Sequence, residues 1–226
     1  MKVGILGGTF NPVHTGHVRM AVEVLEQLGL DRVDLVPAGE PPHKQEAGLL
    51  PFGLRLDLVR RAIKGIPGLA ANPLEAERPG PSFTCDTLTC YRTGGPADEF
   101  HFILGASTFL ELHTWRRGLE IPALASLVVV NRWEAADGVA GFVAGHWPEA
   151  VPGGAGLWRL PGGNVIRLLD IPRLDIKGEH IRRRWHDWRN LSLLVPDGVR
   201  ERLEARAGEV ERYWGERRER PAEKAD

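Results

Sequence analysis

Short apolar runs alternate with amphipathic stretches along most of this chain. Residues 2–6 (KVGIL) are apolar and partly β-branched, which predicts a buried strand. Beyond His17, the residues Val18, Ala21, Val22, Leu25 and Leu28 recur at helical spacing and run out at Gly29, a C-cap glycine. Residues 33–36 read as a second strand. Residues 55–63 read as a helix, carrying Leu56, Val59 and Ile63 and stopping at Gly65. A short strand over 69–72 precedes the polar turn Arg78-Pro79-Gly80-Pro81, and a helix with Ser82 as N-cap is expected over 82–91. Residues 100–104 (FHFIL) and 127–130 (LVVV) are strands, the second being the clearest buried one, and 165–171 forms another. Asp197 caps a last helix carrying Val199, Leu203, Ala207 and Val210.

Alternation at these lengths predicts βαβ units, hence an α/β fold with a doubly wound, mostly parallel sheet and helices on both faces. Such sheets bind ligands at the carboxyl ends of their strands. The segments 7–17, 37–44, 105–107 and 131–132 all follow expected strands, so one cleft built from several loops is expected. Residues 133–163, rich in Gly and Trp, read as an insertion or irregular region within a single domain spanning 1–214. The charged, apolar-poor end 215–226 (GERRERPAEKAD) reads as a frayed tail.

Composition narrows the class further. A chain of 226 residues with 42% hydrophobic content can fill a substantial core, and a formal charge of −1 gives no reason to expect nucleic-acid binding. The two cysteines, Cys85 and Cys90, fall on different faces of one expected helix and form no disulfide framework. Met1 leads straight into the first strand with no signal-peptide pattern, and no apolar stretch reaches bilayer length; a cytoplasmic protein, monomer or homo-oligomer, without membrane partners is the expectation.

The chemistry starts at Gly7-Gly8-Thr9-Phe10-Asn11-Pro12-Val13-His14-Thr15-Gly16-His17. The glycines allow a sharp turn or close approach to a ligand. With Thr15 as N-cap, Gly16 and His17 fall in the first helical turn, where free N–H groups and the positive end of the dipole favour phosphate. An imidazole there donates to a phosphate oxygen and follows charge as it develops. A His-x-x-His metal site has no nearby Glu or Cys to complete it, and neither the dinucleotide-binding nor the P-loop glycine pattern is present.

These residues resemble the signature of the HxGH nucleotidyltransferases, which join a nucleoside triphosphate to a phosphate-bearing acceptor and release pyrophosphate on a Rossmann-like fold. Further segments are similar to the nicotinate mononucleotide adenylyltransferases among them: Pro41-Pro42-His43-Lys44; residues 75–88, from Glu75 through Arg78 and Ser82 to Thr84, with Phe83 where that family has Tyr; Gly105-Ala106-Ser107; Trp115-Arg116-Arg117; Asn131-Arg132; and residues 191–199. The resemblance runs from Val3 to about Val199. It implies adenylyl transfer from ATP to nicotinate mononucleotide in NAD biosynthesis, with Mg²⁺ carried by the ATP phosphates. His14, His17, Lys44 and Arg182 would be catalytic. Gly7, Gly8, Thr9, Phe10, Gly16, Gly105, Ser107, Lys177 and Ile181 would bind ATP. His43, Thr84, Trp115 and Arg132 would bind nicotinate mononucleotide. Nicotinamide mononucleotide is the alternative acceptor, and a nucleotide-binding protein with impaired catalysis is the rival reading.

Beyond Phe83, two segments depart from that pattern. Where the family has I-S-S-T-x-I-R, this chain has Ile176-Lys177-Gly178-Glu179-His180-Ile181-Arg182, so hydroxyl donors give way to a cation and a carboxylate. Ser107 replaces an aspartate that contacts a ribose hydroxyl. Both changes leave His14, His17 and Lys44 in place.

Overall fold

In the computed structural model, which describes residues 1–41, 48–131 and 136–219, the expected alternation folds as one twisted sheet between two helical layers. The strands are β1 (Lys2–Gly8), β2 (Arg32–Pro37), β3 (Leu69–Ala71), β4 (Glu99–Gly105), β5 (Ser126–Asn131), β6 (Val151–Gly154), β7 (Leu157–Arg159) and β8 (Val165–Asp170). The helices are α1 (Thr15–Leu28), α2 (Phe52–Ala62), α3 (Thr84–Gly94), α4 (Ala106–Leu110), α5 (Ile121–Leu124), α6 (Ala136–His146), α7 (Gly178–His186), α8 (Asp197–Ala205) and α9 (Ala207–Trp214). The sheet order is β3-β2-β1-β4-β5-β8-β7-β6. Pairing is parallel from β3 across to β8, and antiparallel where β7 and β6 extend the edge as a hairpin.

The chain winds outward from β1 to β3 and returns to pair β4 on the other side of β1. A crevice therefore opens where the carboxyl ends of β1 and β4 diverge, the topological switch point at which such sheets take ligands. β5 shows why the sheet is covered twice: Val128 and Val130 join the core under α1, α2, α7, α8 and α9, while Leu127 and Val129 join the core under α3, α4 and α6.

Several expectations change at this level. His14, not Thr15, is the N-cap of α1; its N–H donates to His17 Nδ1 at 3.2 Å, so the two histidines close the helix start on each other. Gly29 does end α1 in the left-handed region (φ 55°), its N–H and that of Leu30 returning to the last turn. Ser82 does not cap α3. Its Oγ accepts the N–H groups of Gly39 and Glu40, at 3.0 and 3.1 Å, and Phe83 takes the cap position. Asp197 is the first helical residue of α8, behind Pro196, where its charge meets the dipole. Cys85 and Cys90 are free thiols, as their spacing implies.

The region 133–163 resolves, over its described residues, into α6 and the β6–β7 hairpin, with Val139, Val143 and Trp147 buried. The stretch 215–219 is docked rather than frayed, because its charge is matched. The Arg217 guanidinium lies 3.3 Å over the Trp185 ring and 4.2 Å from Trp188, paired with Glu204 and Glu211.

Candidate functional site

Three connected hollows lie along the carboxyl edge of the sheet. The largest, about 680 Å³, runs between β1 and β4 and is bounded by Gly7, His17, Gly105, Ser107, Trp115 and Lys177 among others. A second, about 390 Å³, lies on the other side of the glycine turn between Gly8, Ala38, Glu75, Thr84, Trp115 and Arg116. The third, about 320 Å³, sits over the start of α7 between Thr9, Phe10, His14, His17, Glu179 and Arg182. Gly7 and Trp115 belong to the first two, Thr9 joins the second to the third, and His17 and Lys177 join the first to the third. The segment Gly7–Thr9 is thus the ridge on which all three meet.

That ridge is held by buried polar hubs. Asn11 is buried: its Nδ2 donates to the Gly48 carbonyl at 2.7 Å, and its Oδ1 accepts from the Leu50 N–H and from Trp214 Nε1. Arg182 Nη1 donates to the Asn11 carbonyl at 2.9 Å, tying α7 to the turn. Gly178 makes that approach possible, since a Cβ there would lie 3.1 Å from the same carbonyl oxygen. Phe10 takes φ 48°, a conformation bulky residues rarely adopt, with its ring packed edge-on at 5.0 Å from His17.

Arg55 of α2 is the second hub. It is fully buried, with Nε donating to the Leu50 carbonyl at 2.9 Å, Nη1 to Thr9 at 2.8 Å and Nη2 to Gly39 at 3.3 Å. Burial pushes its pKa down to about 10, a shift that the charge of Glu75 partly opposes. Glu75, also buried, accepts from Thr87 Oγ1 at 2.6 Å, and Thr87 in turn accepts from Arg78.

The two histidine rings stack with centroids 3.5 Å apart and planes 23° from parallel. Because His17 Nδ1 accepts the His14 N–H, a neutral His17 carries its proton on Nε2 and can offer it as a donor. His14 is buried behind it, and Gly16 lies tightly against the His14 ring, where a Cβ would stand 3.2 Å from Nδ1.

Of the residues expected at the site, His14, His17, Arg182, Gly7, Gly8, Thr9, Phe10, Gly105, Ser107, Lys177, Thr84 and Trp115 all line one hollow or another. Gly16 supports the histidines from behind. Ile181 is corrected: its side chain is fully buried in the core and its N–H is spent on the Lys177 carbonyl, so it seats α7 and offers a ligand nothing. His43, Lys44 and Arg132 lie outside the described residues. Asn11, Arg55, Glu75 and Arg116 were not expected as site residues. For Arg55 a signal exists, because it falls on the apolar face of α2 in register with Leu58, Val59 and Ala62, where a cation must be doing something specific.

Among the described residues no group of three or more His, Cys, Asp and Glu side chains is placed to hold a metal. The third hollow does suit a hard cation riding on phosphate oxygens, since Glu179 supplies an oxygen donor on its wall. Among the described residues no helix is long and apolar enough to cross a membrane.

A glycine turn after β1, paired histidines at the head of α1 and a facing helix start define a nucleotide-handling site, and the comparisons agree. The cytidylyltransferase-like family model matches residues 5–184. A “Probable nicotinate-nucleotide adenylyltransferase” of Trichlorobacter lovleyi is 43% identical over 201 residues, covering 88% of this chain and 94% of that protein. A protein of the same description from Maridesulfovibrio salexigens is 36% identical over 215 residues, covering 95% and 100%. The chain therefore belongs to the cytidylyltransferase-like family and, within it, to the nicotinate-nucleotide adenylyltransferases. Among solved structures, Plasmodium falciparum nicotinic acid mononucleotide adenylyltransferase complexed with APC shares the fold, with a TM-score of 0.68 at 14% identity over 92% of this chain and 96% of that one.

Proposed function

We propose that this protein transfers the adenylyl group of ATP to nicotinate mononucleotide, giving nicotinate adenine dinucleotide and pyrophosphate in NAD biosynthesis. The observation that carries this reading is the meeting of three hollows on Gly7–Thr9, with His17 shared by the largest hollow and the phosphate-sized one. The adenosine part of ATP fits the largest hollow, the β- and γ-phosphates the hollow over α7, and the acceptor the hollow beside Trp115. The acceptor's phosphate then meets the α-phosphate at the ridge.

An acceptor phosphate is already a nucleophile, so no general base is needed. Its oxygen attacks the α-phosphorus, the bond to the β-phosphate oxygen breaks, and pyrophosphate leaves. The protein contributes alignment and charge stabilisation. His17 Nε2–H donates to the α-phosphate, with His14 beside it. Arg182 and Lys177 meet the departing pyrophosphate at the start of α7, whose backbone N–H groups stand in for the absent hydroxyls. Gly7, Gly105 and Ser107 border the adenosine, while Trp115 and Thr84 border the pyridine ring and Gly8 lines the acceptor's side of the ridge. The motif assigns His43 and Arg132 to the acceptor and Lys44 to a bridge between donor and acceptor phosphates. Mg²⁺ carried on the ATP phosphates would lie within reach of the Glu179 carboxylate and would supply neutralisation of the triphosphate charge.

An acceptor panel with ATP and Mg²⁺, read by pyrophosphate release, tests this. Release with nicotinate mononucleotide, exceeding that with nicotinamide mononucleotide, is expected. ATP binding by calorimetry with no release on any acceptor would overturn it and leave a nucleotide-binding protein that does not catalyse.

A further inference from the structure

Resting on that reading, we infer that Arg116 selects the acid acceptor over the amide. If the acceptor phosphate lies at the Thr9 ridge and its ring lies on Trp115, the ring substituent sits in the part of the hollow bordered by Phe83, Thr84 and Arg116. The other charged group on this wall, Glu75, is already engaged by Thr87, which leaves Arg116 as the cation that can answer a ligand's charge among the described residues.

Arg116 is held in place without being consumed. Its guanidinium carbon stands 4.5 Å over the Phe83 ring, a stacking that occupies the face of the group and leaves its edge N–H donors available. Its ion pair with Asp86 is 3.7 Å long, beyond hydrogen-bond distance, so that carboxylate steers Arg116 without filling its donors. The backbone beneath is a tight turn. The Trp115 N–H returns to the Leu112 carbonyl at 3.1 Å, the Gly118 N–H to the Trp115 carbonyl at 3.0 Å, and Arg117 takes φ 54°. A Cβ at Gly118 would fall 1.9 Å from the Leu112 carbonyl oxygen, so this turn admits no side chain there.

A guanidinium fork matches a carboxylate with two parallel charge-assisted bonds. A carboxamide offers one acceptor, and its NH₂ group faces donors it cannot satisfy. Arg116 therefore favours nicotinate over nicotinamide through charge and through donor count.

The test is steady-state kinetics of the full chain on both acceptors for wild type, Arg116→Gln and Arg116→Lys. The acid-to-amide ratio of kcat/KM should fall about 10- to 100-fold in Arg116→Gln, chiefly through the KM for the acid. Arg116→Lys, which keeps the charge and loses the fork, should fall between. Turnover of the amide reports whether the variant is folded. Acid and amide falling by one common factor, or a ratio unmoved in both variants, overturns the assignment of Arg116 while leaving the reaction intact. A wild type that prefers the amide, or uses neither acceptor, overturns the acceptor reading and this assignment together.

Discussion

At the residue scale, the chemistry turns on hydrogen-bond direction. His17 accepts the His14 N–H on Nδ1, which places the proton of the neutral ring on Nε2, the atom the proposed reaction turns toward the α-phosphate, a polarity set by the helix cap itself. His17→Asn should therefore lower kcat by about 10²- to 10³-fold while changing the KM for ATP far less, measured by pyrophosphate release, because the interaction strengthens as charge develops. Glu179 makes the opposite case. It is exposed in the first turn of α7, where the dipole welcomes it, yet it shares a wall with Arg182 and the histidines, where a triphosphate does not. Glu179→Gln should tighten binding of metal-free ATP about threefold by calorimetry; an unchanged affinity would mean that the carboxylate faces away from the nucleotide. The histidines and the glycine turn were legible in the sequence because they lie within eleven consecutive positions, 7–17. Arg55 was legible only as an odd cation on an apolar helix face; its role was not, because its three partners, Leu50, Thr9 and Gly39, come from separate segments that only folding brings together.

At the scale of elements, α7 connects the phosphate hollow to the end of the chain. It begins at Gly178 against the Asn11 carbonyl and ends near Trp185, whose ring carries Arg217. The Arg218 N–H donates to the His186 carbonyl at 3.0 Å and Trp188 Nε1 donates to the Arg218 carbonyl at 2.6 Å, so the segment after α9 straps the far end of α7. Its charged composition reads as a solvated tail, since nothing local reveals that an arginine will find two indole rings and two carboxylates. Arg217→Ala should cost about 1–3 kcal/mol, seen as a melting temperature lower by roughly 2–12 °C, chiefly by uncovering Trp185 and losing the cation–π contact, the partly exposed Glu204 and Glu211 adding little. If stability is unchanged, the strap adds nothing to α7. The region 133–163 misleads for a related reason: glycines at 138, 141 and 145 obscure a helical repeat in which Val139, Val143 and Trp147 nonetheless bury one face.

At the scale of the whole molecule, periodicity predicts a mostly parallel sheet, but it does not order the strands. The order emerges from which faces must be covered, and the β6–β7 hairpin is added where β8 would otherwise leave an edge. The consequence for function lies at the switch between β1 and β4, where Gly7 borders both the adenosine and the acceptor hollows. In the proposed reaction a dinucleotide product crosses this residue, and the unliganded fold has little need of it. A Cβ at Gly7 would lie 3.8 Å from the Phe102 ring, an ordinary contact, so Gly7→Ala should not lower the melting temperature of the unliganded protein and should raise it by about 1–4 °C through the stiffer unfolded chain. Bound ligand is different. At a concentration 100 times its Kd the product should stabilise wild type by about 2.7 kcal/mol, a rise of roughly 5–10 °C. The added methyl stands on the ridge that the dinucleotide must cross, and at the same ligand concentration it should remove most of that rise. Equal rises in both proteins would place the product away from the ridge and separate the two hollows as independent sites.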